Sequence, residues 1–296
     1  MIISTHGSRF FGGTIDRIDY GFIQLGHMLG NHLSNEPNFI FANDPPHFNE
    51  AIATWEKWDR KPKLILNILD CPTFLPEWKK IKEEWYPKLL LADKVTCISK
   101  TVAKDVLDQF KLIADVIYNP IKPVYYIPDM PRNILCLFVG RCNAGNKRKN
   151  EILWPLYKAL VPYYGEDCMH FVGSESPGFG VWHRVVLDEK LNELYNRSVF
   201  GMISSKEEGL NLPLLEQIFC NCKPIIARDM STAEELGIPE LLCDPTPEAF
   251  FYKIKEVAEN LEKYDKLCED YTIKYKEMFS GKSVAKNILK TYGSLI

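Results

Sequence analysis

The chain has 296 residues, 46% of them hydrophobic and 25% charged, which suits two packed domains and excludes extensive disorder. Its net charge of −3, from 36 basic and 39 acidic residues, argues against a general nucleic-acid binder. Nine cysteines, an odd number scattered along so long a chain, argue against a disulfide framework and favour a reducing, cytoplasmic setting. Cys220 and Cys222 form a C-x-C pair, but no second cysteine or histidine pair at zinc spacing accompanies them, so no metal site is expected. The opening Met1-Ile2-Ile3-Ser4 reads as a strand and not as a signal peptide. No apolar run approaches the ~20 residues needed to span a bilayer.

In chain order, the first half predicts strands at Met1–Ser4, Asn38–Phe41, Lys63–Leu69, Lys94–Ile98 and Asp115–Tyr118. Amphipathic segments at Ile15–His32, Phe48–Trp58, Phe74–Leu91 and Lys100–Phe110 alternate with them, the pattern of parallel βαβ units. Gly12-Gly13 falls on the loop after the first strand, and Asp70 just past the strand at Lys63–Leu69. Asn119-Pro120-Ile121-Lys122-Pro123, with Pro128, Met130 and Pro131, breaks both helix and sheet and is the best linker in the chain.

The second half restarts with a strand over Asn133–Gly140, and Arg141 follows at its end. Asn146-Lys147-Arg148-Lys149 then opens a helix, although positive charge at a helix N-terminus opposes the dipole unless an anion sits there. Helical and strand segments continue through Asp167–Val172, Asp188–Asn196, Ser198–Ser204, Leu212–Phe219, Pro224–Ala227, Ser231–Leu236 and Leu241–Asp244. Within them Thr232-Ala233-Glu234-Glu235 reads as a capping box. Helices within Pro247–Leu261, Tyr264–Phe279 and Lys282–Ser294 close the chain. The expected organisation is α/β with two Rossmann-like domains facing a cleft: residues 1–130, residues 131–280 and a terminal helix at 281–296.

The densest functional signal is residues 204–226. After a buried strand, Glu208 sits beside Gly209, and Glu216 follows eight positions later. Pro213 suits the first turn of a helix, so Glu208 is expected on a loop at a strand's carboxyl end and Glu216 in the helix's opening turn. Both would face the crevice in which open α/β sheets hold ligands. Two acids beside a helix N-terminus that attracts phosphate suit a polyhydroxylated, phosphorylated ligand such as a nucleotide-sugar. A pair of surface acids is the plainer alternative.

Glu208, Gly209, Leu212, Pro213 and Glu216, with the strand after Lys223-Pro224, resemble the E-x7-E signature of retaining glycosyltransferases of the GT-B fold, group 1 or family 4 type. Asn211 stands where that signature has its second glycine, and asparagine tolerates the left-handed backbone expected there. The resemblance implies that Arg141 and a lysine, Lys147 or the competing Lys149, hold the donor's phosphates. It implies that Glu216 binds the ribose and Glu208 the transferred sugar, with backbone groups of Gly209, Leu210, Asn211 and Leu212 completing the cradle. Gly12 and Gly13 would let the backbone approach the donor phosphate or merely turn the chain, and Asp70 would serve as an acceptor-side base or a helix cap. The terminal helix would pack back on the first domain.

The implied activity is transfer of a sugar from a nucleoside-diphosphate sugar to a glycan, lipid or small-molecule hydroxyl, with retention, without metal and without a further cofactor. Peripheral membrane contact through a surface helix stays open. The rivals are a nucleotide-sugar epimerase or phosphorylase on the same architecture, and a non-catalytic nucleotide-sugar-binding protein.

Overall fold

The computed structural model describes residues 2–6, 14–29, 37–43, 45–121, 124–236 and 238–295, so Gly12 and Gly13 lie outside the described residues. The chain divides into two compact units, Met1–Ile121 with Glu277–Ile296, and Lys122–Lys276. The sequence-based boundaries stand after residues 130 and 280; the structure divides within the proline-rich linker and near the end of the penultimate helix.

In the first unit, β1 (Ile2–His6), β2 (Met28–Leu29), β3 (Phe39–Ala42), β4 (Lys63–Ile68), β5 (Lys94–Cys97) and β6 (Asp115–Val116) form a parallel sheet ordered β2-β1-β3-β4-β5-β6. Helices α1 (Thr14–Gln24), α2 (Phe48–Glu56), α3 (Trp78–Leu91) and α4 (Lys100–Phe110) connect its strands. Phe39, Ile40, Phe41 and Ala42 are fully buried, as are Leu64, Ile65, Leu66 and Ile68. Parallel strands are covered on both faces, which is why Phe39–Ala42 reads as an unbroken apolar run and Leu64–Ile68 as one broken only by Asn67, whose Nδ2 donates to Asn43 Oδ1 (2.7 Å). The helix expected over Ile15–His32 is shorter in the structure. It stops at Gln24, and Gly26 with φ 79° turns the chain into β2.

The second unit contains β7 (Ile134–Val139), α5 (Trp154–Tyr164), β8 (Met169–Val172), β9 (Val181–Trp182), α6 (Asp188–Arg197), β10 (Ser198–Ile203) and α7 (Leu212–Phe219). It continues with β11 (Lys223–Ala227), α8 (Ala233–Leu236), β12 (Leu242–Cys243), α9 (Pro247–Ala258) and most of α10 (Leu261–Met278). Its parallel sheet is ordered β12-β11-β10-β7-β8-β9. From β7 the chain runs outward to β9, then crosses back to β10 and runs the other way. The loops after β7 and β10 therefore leave in opposite directions and open a crevice at the carboxyl edge.

The short edge strand β9 carries too little apolar sequence to be read in advance. It is held by polar contacts: Trp182 Nε1 donates to the Gly173 carbonyl (3.0 Å), and His170 Nδ1 lies 2.8 Å from His183 Nε2. The capping box expected at Thr232 does not form, because α8 is a single turn and the buried Thr232 hydroxyl has no hydrogen-bond partner.

The last helix, α11 (Gly281–Gly293), belongs to the first unit and packs on α1. Val284, Ala285 and Ile288 join Ile18 and Phe22 of α1 in one buried cluster with Ile3, Phe39, Phe41 and Ile65 of the sheet. The terminal helix thus packs back on the first domain, as the family resemblance implies. Among the described residues no helix is long and apolar enough to cross a membrane.

Candidate functional site

The site begins where β7 ends. Gly140 adopts φ 142°, a conformation open to glycine and rarely to other residues, and its N–H donates to the Val172 carbonyl of β8 (2.9 Å). Gly173 comes so close that a β-carbon there would lie 2.2 Å from the Gly140 carbonyl oxygen. These two glycines let the ends of β7 and β8 touch, and Arg141 emerges exposed at the carboxyl edge of the sheet.

A cavity of about 260 Å³ opens there, between the ends of β7 and β10 and against the start of α7. Its walls include Gly140, Arg141, Lys147, Ser205, Glu208 and Asn211. Lys147 Nζ pairs with Glu208 Oε1 and lies 3.4 Å from Ser205 Oγ. Among the described residues Arg141 has no ion-pair partner. The wall thus presents one open guanidinium and one ammonium held by a carboxylate, at the switch point of the sheet. Such a wall can receive a diphosphate: the guanidinium offers a planar fork, and the ammonium a mobile point charge.

The basic run is not the start of an α-helix, as expected from sequence. Gly145–Lys147 form a 3₁₀ turn, Arg148 is left-handed with φ 55°, and one π-helical turn over Lys149–Leu153 precedes α5. The three cations consequently point to different partners. Lys147 reaches the cavity, whereas Lys149 Nζ donates to Asn143 Oδ1 and is not part of the cavity wall. Arg148 is 8% exposed and donates through two parallel bonds to Asp229, which hold the Asp229 carboxyl below the usual carboxylate range. The burial of Arg148 and its pairing across 81 positions carry no local signal in the sequence.

Around the signature acids the structure makes three corrections. Asn211 is not left-handed. With φ −81° it caps α7, and its Oδ1 accepts from the Leu214 N–H (3.0 Å). The Leu212 N–H is donated to the Leu210 carbonyl (3.0 Å), so Leu212 offers no donor to a ligand, and Leu210 itself is buried. Glu216 does not sit at the edge of a crevice or in the helix's opening turn. It lies in the second turn, is 3% exposed, and accepts a hydrogen bond from the Tyr195 hydroxyl (2.8 Å). Tyr195 is fully buried, and burial together with the Glu216 charge pushes its phenol well above the ordinary range. Glu208 and Gly209 remain on the loop after β10, as expected. Asp70 stands exposed just past β4, in the first unit.

The burial of Glu216 sets an expected result. Glu216→Ala should cost about 1–3 kcal/mol of stability, because it strands the Tyr195 hydroxyl away from water. Glu216→Gln keeps a carbonyl acceptor for that hydroxyl and should cost less than about 1 kcal/mol. Urea unfolding of the two variants checks the difference; equal losses would mean the hydrogen bond contributes little.

No family model matches the chain, and no curated relative matches its sequence. Its fold is shared. The Anabaena Alr3699/HepE protein, solved in complex with UDP-glucose, superposes with a TM-score of 0.75 over 99% of each chain at 14% identity. Sucrose-phosphate synthase from Thermosynechococcus elongatus superposes at 0.77 over 100% of this chain and 99% of its own, at 12% identity. The lipopolysaccharide outer core galactosyltransferase WaaB superposes at 0.59 over 100% of both chains, at 16% identity. The chain has the GT-B fold.

Proposed function

We propose that the chain is a retaining, metal-independent glycosyltransferase that draws its sugar from a nucleoside-diphosphate sugar. The observation that carries this reading is the cavity at the switch point of the second sheet, walled by Arg141, Lys147 and Glu208. The Alr3699/HepE protein of the same fold, solved with UDP and with UDP-glucose, lends it support. Nine free, buried cysteines suit a reducing, cytoplasmic setting.

In the proposed reaction the bond between the sugar's anomeric carbon and the β-phosphate oxygen breaks. Negative charge grows on that leaving oxygen, and Arg141 with Lys147 meets it. Fixed cations stabilise such charge more in the transition state than in the ground state. The Glu208 carboxylate lies beside the ammonium, where it can face the hydroxyls or the developing positive carbon of the transferred sugar. The acceptor oxygen bonds on the face that the phosphate leaves, and its proton passes to the leaving phosphate oxygen. Glycan, lipid and small-molecule hydroxyls all suit this chemistry.

Thermal-shift titration against UDP-, GDP-, ADP- and TDP-sugars tests the reading. One nucleotide class at a hundredfold over its dissociation constant should stabilise the protein by about 2.7 kcal/mol. Release of the nucleoside diphosphate should then persist in excess chelator. No shift with any class would overturn the donor assignment, and free epimerised sugar nucleotide as product would favour an epimerase.

A further inference from the structure

We propose that Arg148 and Asp229 form a strut that fixes Lys147 and Glu208 at their places across the cavity. This deepens the donor-site reading and rests on it for its functional half. The starting observation is a backbone outlier. Arg148 carries a β-carbon yet adopts φ 55°, ψ 40°, a region in which L-residues are strained and glycine is not. Such a conformation persists where the surrounding structure over-determines it. The guanidinium of Arg148 is buried and makes a bidentate pair with Asp229, Nη1 to Oδ1 at 2.7 Å and Nη2 to Oδ2.

That pair closes a ring of three loops, each leaving the carboxyl end of a strand. The loop after β7 is bound to the loop after β10 by three contacts. The Lys206 N–H donates to the Asn146 carbonyl (2.9 Å), Asn146 Nδ2 to the Glu207 carbonyl (2.8 Å), and Ser204 Oγ to the Lys147 carbonyl (2.6 Å). The loop after β11 is bound to the loop after β10 through Ser231. Its N–H donates to the Lys206 carbonyl (2.9 Å), and its hydroxyl both accepts from the Glu208 N–H and lies against the Glu208 carbonyl, each at 2.8 Å. The third side, between the loops after β7 and β11, is the Arg148–Asp229 pair.

Arg148 directly follows Lys147, and Asp229 stands two residues before the serine that grips Glu208. The strut therefore sets the separation of the ammonium and the carboxylate on the cavity wall. Arg148 is a positioning residue, since its own guanidinium points to Asp229.

Two arms test this. In the first, no ligand is used: hydrogen exchange is followed at the amides of Lys206 and Glu208 in wild type, Arg148→Gly and Asp229→Asn. Glycine accepts the left-handed backbone, so Arg148→Gly should fold while removing the guanidinium. Exchange at both amides should rise about tenfold or more in either variant. Unchanged exchange there would overturn the strut, whatever the protein's function.

In the second arm the probe is inorganic pyrophosphate, the anion common to all nucleoside diphosphates, with affinity measured by calorimetry. Arg148→Gly should weaken it roughly tenfold in the wild-type background and less than about twofold in a Lys147→Ala background, because the strut acts through Lys147. Arg148→Lys should fall between. Equal losses in both backgrounds would show that Arg148 does not work through Lys147, and absence of pyrophosphate binding to wild type would overturn the donor-site reading, leaving the exchange arm to judge the strut.

Discussion

Replacing Arg141 by alanine is expected to lower kcat by on the order of 100-fold or more, with the protein still folded. The side chain is exposed on the cavity wall and has no ion-pair partner among the described residues, so its loss leaves no buried group stranded. In the proposed reaction it meets charge that appears on the leaving phosphate, and removing one such donor commonly costs roughly 3–4 kcal/mol of transition-state stabilisation. Lys147→Ala should be at least as damaging and should also raise the donor KM. It removes a cation and leaves the Glu208 carboxylate unneutralised on the same wall, where it repels a diphosphate. Lys149→Ala separates the two registers that the sequence leaves open. Its ammonium is turned to Asn143, so turnover should fall less than about threefold. Initial rates of nucleoside-diphosphate release for the three variants decide the matter. Wild-type turnover in Arg141→Ala, or a larger loss in Lys149→Ala than in Lys147→Ala, would put the phosphate site elsewhere.

The legible parts of this chain are those whose physics is local. Ile134–Val139 and Ser198–Ile203 are strands buried on both faces, and each reads as one apolar run ending in a glycine or serine turn. Arg141 and Glu208 are recognisable because both stand at the ends of such strands, where the topology places ligands. What could not be read depends on distant partners. Glu216 sits within Leu214-Leu215-Glu216-Gln217-Ile218-Phe219, and the segment alone does not say whether its one acid faces water or a buried hydroxyl. Tyr195, 21 positions earlier on α6, decides it. Arg148 likewise looks like one more lysine-flanked surface cation until Asp229 is brought against it. The strand β2 was hidden for another reason. Its two residues continue the apparent helical period of α1, and only Leu25-Gly26-His27, with Gly26 left-handed, separate them.

The largest expected effect on stability comes from a residue with no side chain. Gly21 of α1 faces Gly281 at the start of α11, and a β-carbon on Gly21 would lie 2.2 Å from the Gly281 carbonyl oxygen. The converse holds as well: a β-carbon on Gly281 would lie 2.4 Å from the Arg17 carbonyl oxygen. The obstacle is backbone on both sides, so no rotamer change relieves it, and the helices must separate. Separation loosens Ile18 and Phe22 from Val284, Ala285 and Ile288, all buried in one cluster. Helix propensity alone predicts that Gly21→Ala gains roughly 1 kcal/mol. Overpacking a close contact costs typically 1–3 kcal/mol and occasionally more. The contact is expected to win. Gly21→Ala should therefore destabilise, and Gly21→Val should cost about 3 kcal/mol or more. Gly293, in the last turn of α11, has nothing within 4 Å of its β-position, so Gly293→Ala is a matched control expected to be neutral or slightly stabilising. Because the chain has two units, a single melting curve can blend two transitions. Hydrogen exchange read on peptides from each unit resolves them. Loss of protection should be confined to the first unit, β1, β3 and α11 above all, while β7 and β10 keep theirs. A gain of stability in Gly21→Ala would mean that the two helices do not meet through this glycine pair.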